Sequence, residues 1–185
     1  MIRYVALLRG INVGGHKLVR MDALRRIFEA AGFAQVETYI QSGNVIFDSA
    51  ERDARALEQV IEARLREALG FEVAVLLRTL REVEALARRD PFGRGETEDG
   101  AKVYVTFLRE KPGRELRHAL TSQSGEEVDV RVENREVFVL IRRGGAAADA
   151  VFSNNLLGKK SAGPTTTRNL TTIVKIAARF SERDA

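Results

Sequence analysis

The sequence predicts an α+β protein, and three observations carry that prediction. Short runs alternate apolar residues at period two, as in Val128-Val130-Val132 and Val137-Val139-Ile141, and read as strands. Between them lie stretches with apolar residues at helical spacing, most of them closed by glycine or proline. The elements also recur in one order, β-α-β-β-α, in each half of the 185 residues.

Ile2 to Leu8 is apolar in both alternating sets and reads as a central strand. A glycine-rich loop, Gly10 to Lys17, leads into a helix with Met21, Leu24, Ile27, Phe28 and Ala31 on one face, stopped at Gly32. Val36 to Ile40, the turn Gln41-Ser42-Gly43-Asn44 and Val45 to Phe47 form a hairpin. Ser49 opens a long helix with Leu57, Val60, Ile61, Leu65, Ala68 and Leu69 on one face. Gly70 ends that helix, and Val73, Val75 and Leu77 supply a fourth strand. This β-α-β-β-α-β order is the split-βαβ, or ferredoxin-like, unit, with both helices on one face of an antiparallel sheet.

The second half starts with a capping box, Thr79 with Glu82, ahead of Leu80, Val83 and Leu86. A strand at Val103 to Leu108 passes through Pro112, a favoured first helical position, into a helix with Leu116, Ala119 and Leu120. A hairpin follows, Val128 to Val132 and Val137 to Ile141 around Glu133-Asn134, then a helix over about 147–157. No final strand is visible. Thr165 to Asn169 reads as the approach to a last helix with Leu170, Ile173, Val174, Ala177 and Phe180 on its face. The expected architecture is therefore two ferredoxin-like halves in tandem, residues 1–78 and 79–185. The second half is modified and ends in a helix that packs back on the first. The halves share a pattern but no detectable sequence identity.

Composition excludes several function classes. Hydrophobic residues are 44% and charged residues 30%, values of an ordinary globular chain. With no cysteine there is no disulfide framework, thiolate metal site or cysteine nucleophile, and two histidines make a transition-metal cluster improbable. No metal and no cofactor is therefore expected. No apolar run approaches the ~18 residues of a membrane helix, and the N-terminus lacks the pattern of a secretory signal, so a cytoplasmic location is expected. The net charge of +4 is concentrated at the two ends. Residues 1–20 hold Arg3, Arg9, Lys17 and Arg20 without an acid. Such a balance points to anionic partners, a small molecule or a nucleic acid.

Three segments are candidates for chemistry. The loop Arg9 to Lys17 has the glycines, strand-to-helix setting and cations of a phosphate loop, although its spacing matches no known fingerprint and backbone geometry alone would also call for glycine. Gln41-Ser42-Gly43-Asn44 is a polar turn whose serine would need a base. His16 is the nearest in sequence, and turn formation explains the segment without chemistry. Arg168, at or near the start of the last helix, sits against the macrodipole by a few tenths to ~1 kcal/mol. A bound anion held with Thr166 and Thr167 would offset that, as would simple solvation with Thr167 as an N-cap.

Ala6 to Gly15, Tyr39 to Phe47, and Thr166-Thr167-Arg168-Asn169 with Thr172 and Lys175 closely resemble the bacterial family of domain of unknown function 1697 (DUF1697), in this order and over nearly the whole chain. The family has tryptophan where this chain has Leu170, and 159–164 is longer here. The resemblance implies an α+β fold of two ferredoxin-like halves and brings no established activity. Carried over position by position, the motif residues are Arg9, Asn12, Gly14, Gly15, Lys17, Gln41, Ser42, Gly43, Asn44, Thr166, Thr167, Arg168, Asn169 and Lys175. A signature of polar and glycine residues in three loops suggests one shared cleft lined by Arg9, Lys17, Gln41, Asn44 and Arg168. The expected function is a binding module for a phosphate-bearing or other anionic ligand. Its rivals are an enzyme acting on such a ligand, with His16 as base, and a protein-interaction module.

Overall fold

The structure, a computed structural model, describes residues 1–15, 17–93, 100–142 and 163–181. In chain order the elements are β1 (Ile2–Leu8), α1 (Met21–Ala30), β2 (Ala34–Tyr39), β3 (Asn44–Ser49), α2 (Ala54–Leu69), β4 (Val75–Thr79) and α3 (Leu80–Ala87). They continue with β5 (Lys102–Leu108), α4 (Arg114–Thr121), β6 (Val128–Glu133), β7 (Glu136–Ile141), β8 (Thr165–Asn169) and α5 (Leu170–Phe180). The chain forms two compact units, one of Met1–Ala85 with the segment from Ile176, the other of Leu86–Lys175.

In the first unit the strand order is β2-β3-β1-β4, all antiparallel, so β1 is central as its doubly apolar pattern requires. Tyr4, Ala6 and Leu8 face a core completed by Leu24 and Phe28 of α1 and Leu57, Ile61 and Leu65 of α2. Tyr4 stacks on Phe47, with ring centroids 5.7 Å apart, and Phe47 meets Phe28 edge-on at 5.4 Å. The alternate residues Val5, Leu7, Ile46 and Leu76 are buried on the other face. There Phe180, at the end of α5, packs edge-on against Tyr39 at 6.4 Å, with the Arg3 guanidinium 6.0 Å from its ring. Arg3 is held by Asp48 (2.9 Å) and Glu37 (3.2 Å) on the neighbouring strands.

β4 is an edge strand, and α2 covers its outward donors. The amides of Val75 and Leu77 donate to the carboxylates of Glu62 (2.9 Å) and Glu58 (3.0 Å), one helical turn apart. Glu58 is buried yet satisfied, because Arg55 also donates to it at 3.2 Å. An edge occupied in this way offers no template for pairing with another chain.

The second unit repeats the order as β6-β7-β5-β8, again antiparallel, consistent with tandem ferredoxin-like halves. Its final strand, expected to be missing, is β8. Thr165 to Asn169 is not a loop leading into a helix. It pairs with β5 from Leu108↔Thr165 to Tyr104↔Asn169. The threonines lack apolar alternation, which hid the strand, but β-branched residues suit an extended backbone. Thr106 and Thr167 share a 2.7 Å hydroxyl hydrogen bond across the pair. The helix expected over 147–157 lies outside the described residues.

Other boundaries moved by capping chemistry. α2 starts at Ala54 rather than near Ser49, because Asp53 caps it, its carboxylate accepting from the amides of Arg55 (2.8 Å) and Ala56 (3.2 Å). α4 starts at Arg114 behind Gly113, two residues past Pro112. The Thr79–Glu82 capping box forms as expected, Thr79 N donating to Glu82 at 2.7 Å and Glu82 N to Thr79 Oγ1 at 3.2 Å.

Tyr4 gives this core a pH signature. Its hydroxyl donates to the Glu51 carbonyl at 3.0 Å, and burial, reinforced by the negative charge of Glu51, raises its pKa above the ordinary 10.0. Because the folded state holds the proton more tightly, this contribution is complete below pH 10 and is lost as pH rises through the folded pKa. Tyr4→Phe should lower stability by about 1 kcal/mol at pH 8 and flatten the alkaline decline, read from urea denaturation at pH 8 and pH 11. An unchanged alkaline slope would refute the assignment.

Candidate functional site

The first two sequence motifs meet at one end of the first sheet. The Leu8 amide donates to the Gly43 carbonyl at 2.8 Å and the Arg9 amide to the Ala74 carbonyl at 2.9 Å, so the end of β1 is held between the hairpin turn and the approach to β4. Beyond it the backbone is left-handed at Gly10 (φ +66°), Asn12 (+55°), Gly14 (+59°), Gly15 (+77°) and Lys17 (+48°). Glycine adopts such angles without strain, and asparagine is the most tolerant of the others, so backbone geometry alone accounts for much of this motif.

Asn12 fixes the loop. Its amide nitrogen donates to the carbonyls of Val19 (3.0 Å) and Gln41 (2.8 Å), and its carbonyl oxygen accepts from the Val19 amide at 2.8 Å. One side chain thus closes the loop on itself and ties it to the turn. Gly43 fits tightly on the same seam. A Cβ at that position would stand 2.7 Å from Ile11 Cδ1, and the backbone there has φ +76°. Within the turn, Asn44 is buried and its amide donates to the Tyr39 carbonyl and to Ser42 Oγ, each at 3.0 Å. Asn12, Ser42, Gly43 and Asn44 therefore build the site. Arg9, Lys17 and Gln41 are its exposed polar residues.

Lys17 is partly committed, its ammonium donating to the Glu72 carbonyl at 2.8 Å and lying 5.3 Å from the centre of the Phe71 ring. The guanidinium of Arg9 has no hydrogen bond or ion pair among the described residues. His16, the expected base, lies outside the described residues. His118 is exposed on α4 in the second unit.

The third motif belongs to the second unit and has a different environment from the one its sequence suggested. Arg168 lies near the start of the last helix, two residues ahead of it, and not in its first turn. It lies in β8 with 8% of its surface exposed, its Nη1 donating to Thr166 Oγ1 and to the Thr167 carbonyl, each at 2.8 Å. The expected conflict with the macrodipole therefore does not arise. Burial lowers its pKa to about 10, which leaves it charged at neutral pH. The N-cap is Asn169, not Thr167, since Asn169 Oδ1 accepts from the Thr171 amide at 2.8 Å. Lys175 is exposed on α5.

Register gives Arg168 a counterpart. It stands opposite Val105 as Arg78 stands opposite Val5, and Arg78 Nη1 likewise donates to the carbonyl of the residue before it, Leu77, at 2.8 Å. Each arginine precedes a capping residue, Thr79 or Asn169, and a leucine that opens a helix. The repeat that sequence comparison of the halves did not reveal is therefore visible as Arg-Thr-Leu and Arg-Asn-Leu at one structural position. This recurrence places Arg168 and Asn169 in a strand-to-helix architecture that both units share.

Sequence reasoning passed over three exposed aliphatic residues on the first two motifs: Val13 (64% exposed), Leu18 (74%) and Ile40 (49%). Ile40 was expected to end β2, but the strand stops at Tyr39 and Ile40 takes φ +49°. A β-branched residue in that region carries strain of about 1–3 kcal/mol. The signal available in the sequence was an apolar residue in each polar loop with no helical or strand period to absorb it. Among the described residues, no group of three or more His, Asp and Glu side chains is placed to hold a metal ion.

Asn12→Ala would leave the Val19 amide and the Val19 and Gln41 carbonyls without this partner. It should cost about 2 kcal/mol in chemical denaturation and open the loop to limited proteolysis between Gly10 and Leu18. Resistance equal to that of the parent protein would show that the loop is held by something else.

A search of the curated proteins finds no match. Among solved structures, the conserved bacterial protein SP0830 from Streptococcus pneumoniae is 25% identical, with a TM-score of 0.73 over 96% of this chain and 97% of that one. The family described as a protein of unknown function, DUF1697, matches residues 1–138, which leaves the Thr166 to Lys175 motif outside the matched span. That span holds the Arg9 loop and the Gln41 turn with the sheet that carries them, and the chain belongs to the DUF1697 family.

Proposed function

We propose that the protein is a cytoplasmic binding module for a phosphate-bearing ligand, and that the Arg9 loop and the Gln41 turn hold it. The observation that carries this reading is Arg9, an exposed guanidinium with no partner among the described residues, beside a loop that Asn12 holds in a left-handed backbone. The Asn12 hydrogen bonds hold the backbone next to Arg9, and the bidentate geometry of guanidinium suits phosphate. Lys17 adds a second positive charge, and Gln41 an amide that can donate. Residues 1–20 contain no acid to compete for these groups. Arg168 has no part in this proposal.

Thermal unfolding with inorganic phosphate, nucleoside monophosphates and nucleoside triphosphates tests it. A ligand at ~100 times its dissociation constant stabilises the fold by about 2.7 kcal/mol, a shift of roughly 5–10 °C for a chain of this size. Arg9→Ala should abolish the shift and leave the melting temperature without ligand within about 1 °C, since the side chain is exposed. Absence of a shift with all these anions, or a full shift in Arg9→Ala, would overturn the proposal.

A further inference from the structure

The same surface holds features that a simple anion would not use. Val13 and Leu18 flank the glycines and Lys17, and Ile40 precedes Gln41, all three projecting substantial apolar surface into solvent. Asn12 joins their two segments through its bond to the Gln41 carbonyl, and the Ile11 side chain lies against the Gly43 backbone. Arg9, Lys17 and Arg20 lie on the loop among these aliphatic residues. Arg20 is 87% exposed and paired with Asp22 at 3.1 Å. The patch is thus basic and aliphatic together, on a strained backbone that gains no burial for Ile40.

An open surface of this kind would leave most of a mononucleotide in water, whereas small-ligand sites enclose 70–90% or more of what they bind. A ligand that uses both its cations and its apolar side chains is extended, carries repeated negative charge and exposes flat apolar faces. A nucleic-acid duplex has the charge but hides its bases in the stack. A single strand has both. Building on the anion-binding reading above, we propose that the Arg9 loop and the Gln41 turn form a landing surface for single-stranded nucleic acid. Arg9 and Lys17 take phosphates, and the apolar faces of unstacked bases make aliphatic, not aromatic, contacts with Val13, Leu18 and Ile40.

Fluorescence anisotropy decides it, using labelled oligothymidylate and oligouridylate of about 12 nucleotides, a duplex of the same length and a labelled glutamate-rich peptide. The single strands should bind more tightly than the duplex and the peptide. The slope of log affinity against log salt should be about −1.4 for two neutralised phosphates, at about −0.7 each, and Arg9→Ala should reduce it by about half. Ile40→Gly relieves the left-handed backbone, so it should keep or raise the melting temperature while weakening the single strands about fivefold and leaving the salt slope unchanged. Equal binding of duplex and single strand, tighter binding of the peptide, or full affinity in Ile40→Gly would each overturn the nucleic-acid assignment. If phosphate or mononucleotides still give an Arg9-dependent thermal shift, the anion-binding reading survives that result. If they do not, both readings fall.

Discussion

Both faces of the central strands β1 and β5 are buried, and the rest of the structure follows from that constraint. Val5, Leu7, Val105 and Phe107 are as inaccessible as the residues that face the helices, so neither strand can carry a polar side chain outward along its middle. Several polar groups on these sheets have partners close at hand. Arg3 has two carboxylates, Thr106 has a hydroxyl, and Arg78 and Arg168 each have a neighbouring carbonyl. Along these central strands, polar residues available to a ligand therefore lie at the strand ends and in the loops that leave them. The longest loop that leaves a central strand in the first unit is the one between β1 and α1.

Asn12 is the residue that ties this loop together. Left-handed backbone at five described positions would leave an unsupported segment with many conformations, and Asn12 removes that freedom by bonding both its own loop and the neighbouring turn. Gly43 then lets the turn close on Ile11 at a distance no side chain would permit. The polar residues of the two motifs thus divide by task. Asn12, Ser42 and Asn44 shape the surface, and Arg9, Lys17 and Gln41 are presented on it. A motif of mixed polar residues reads as one site in a sequence, although half of it is scaffold.

Much of the fold was legible because burial imposes periodicity. The doubly apolar β1, the two hairpins and the Thr79–Glu82 capping box all follow from patterns short enough to read directly. β8 was not legible. Its residues are threonines, an arginine and an asparagine, and its strand character comes from pairing with β5, a contact some sixty residues distant in sequence. The same long-range pairing sets Arg168 in a strand just ahead of the last helix. In the candidate site, the glycines and Arg9 were readable, but Ile40 was not. Its exposure depends on a backbone angle that only the hairpin geometry imposes.

α5 begins in the second unit and ends in the first, where Phe180 packs against Tyr39 and Arg3. During synthesis the first unit therefore waits for its last piece. Its strands and two helices emerge from the ribosome early, yet the aromatic residue that packs on Tyr39 and Arg3 is made only after all four strands of the second unit. Until then that face carries exposed apolar surface at Tyr39, a liability for aggregation that ordinary N-to-C domain folding avoids. The cell thus meets this protein as a nascent chain whose N-terminal unit reaches its finished state only after the second unit has been made.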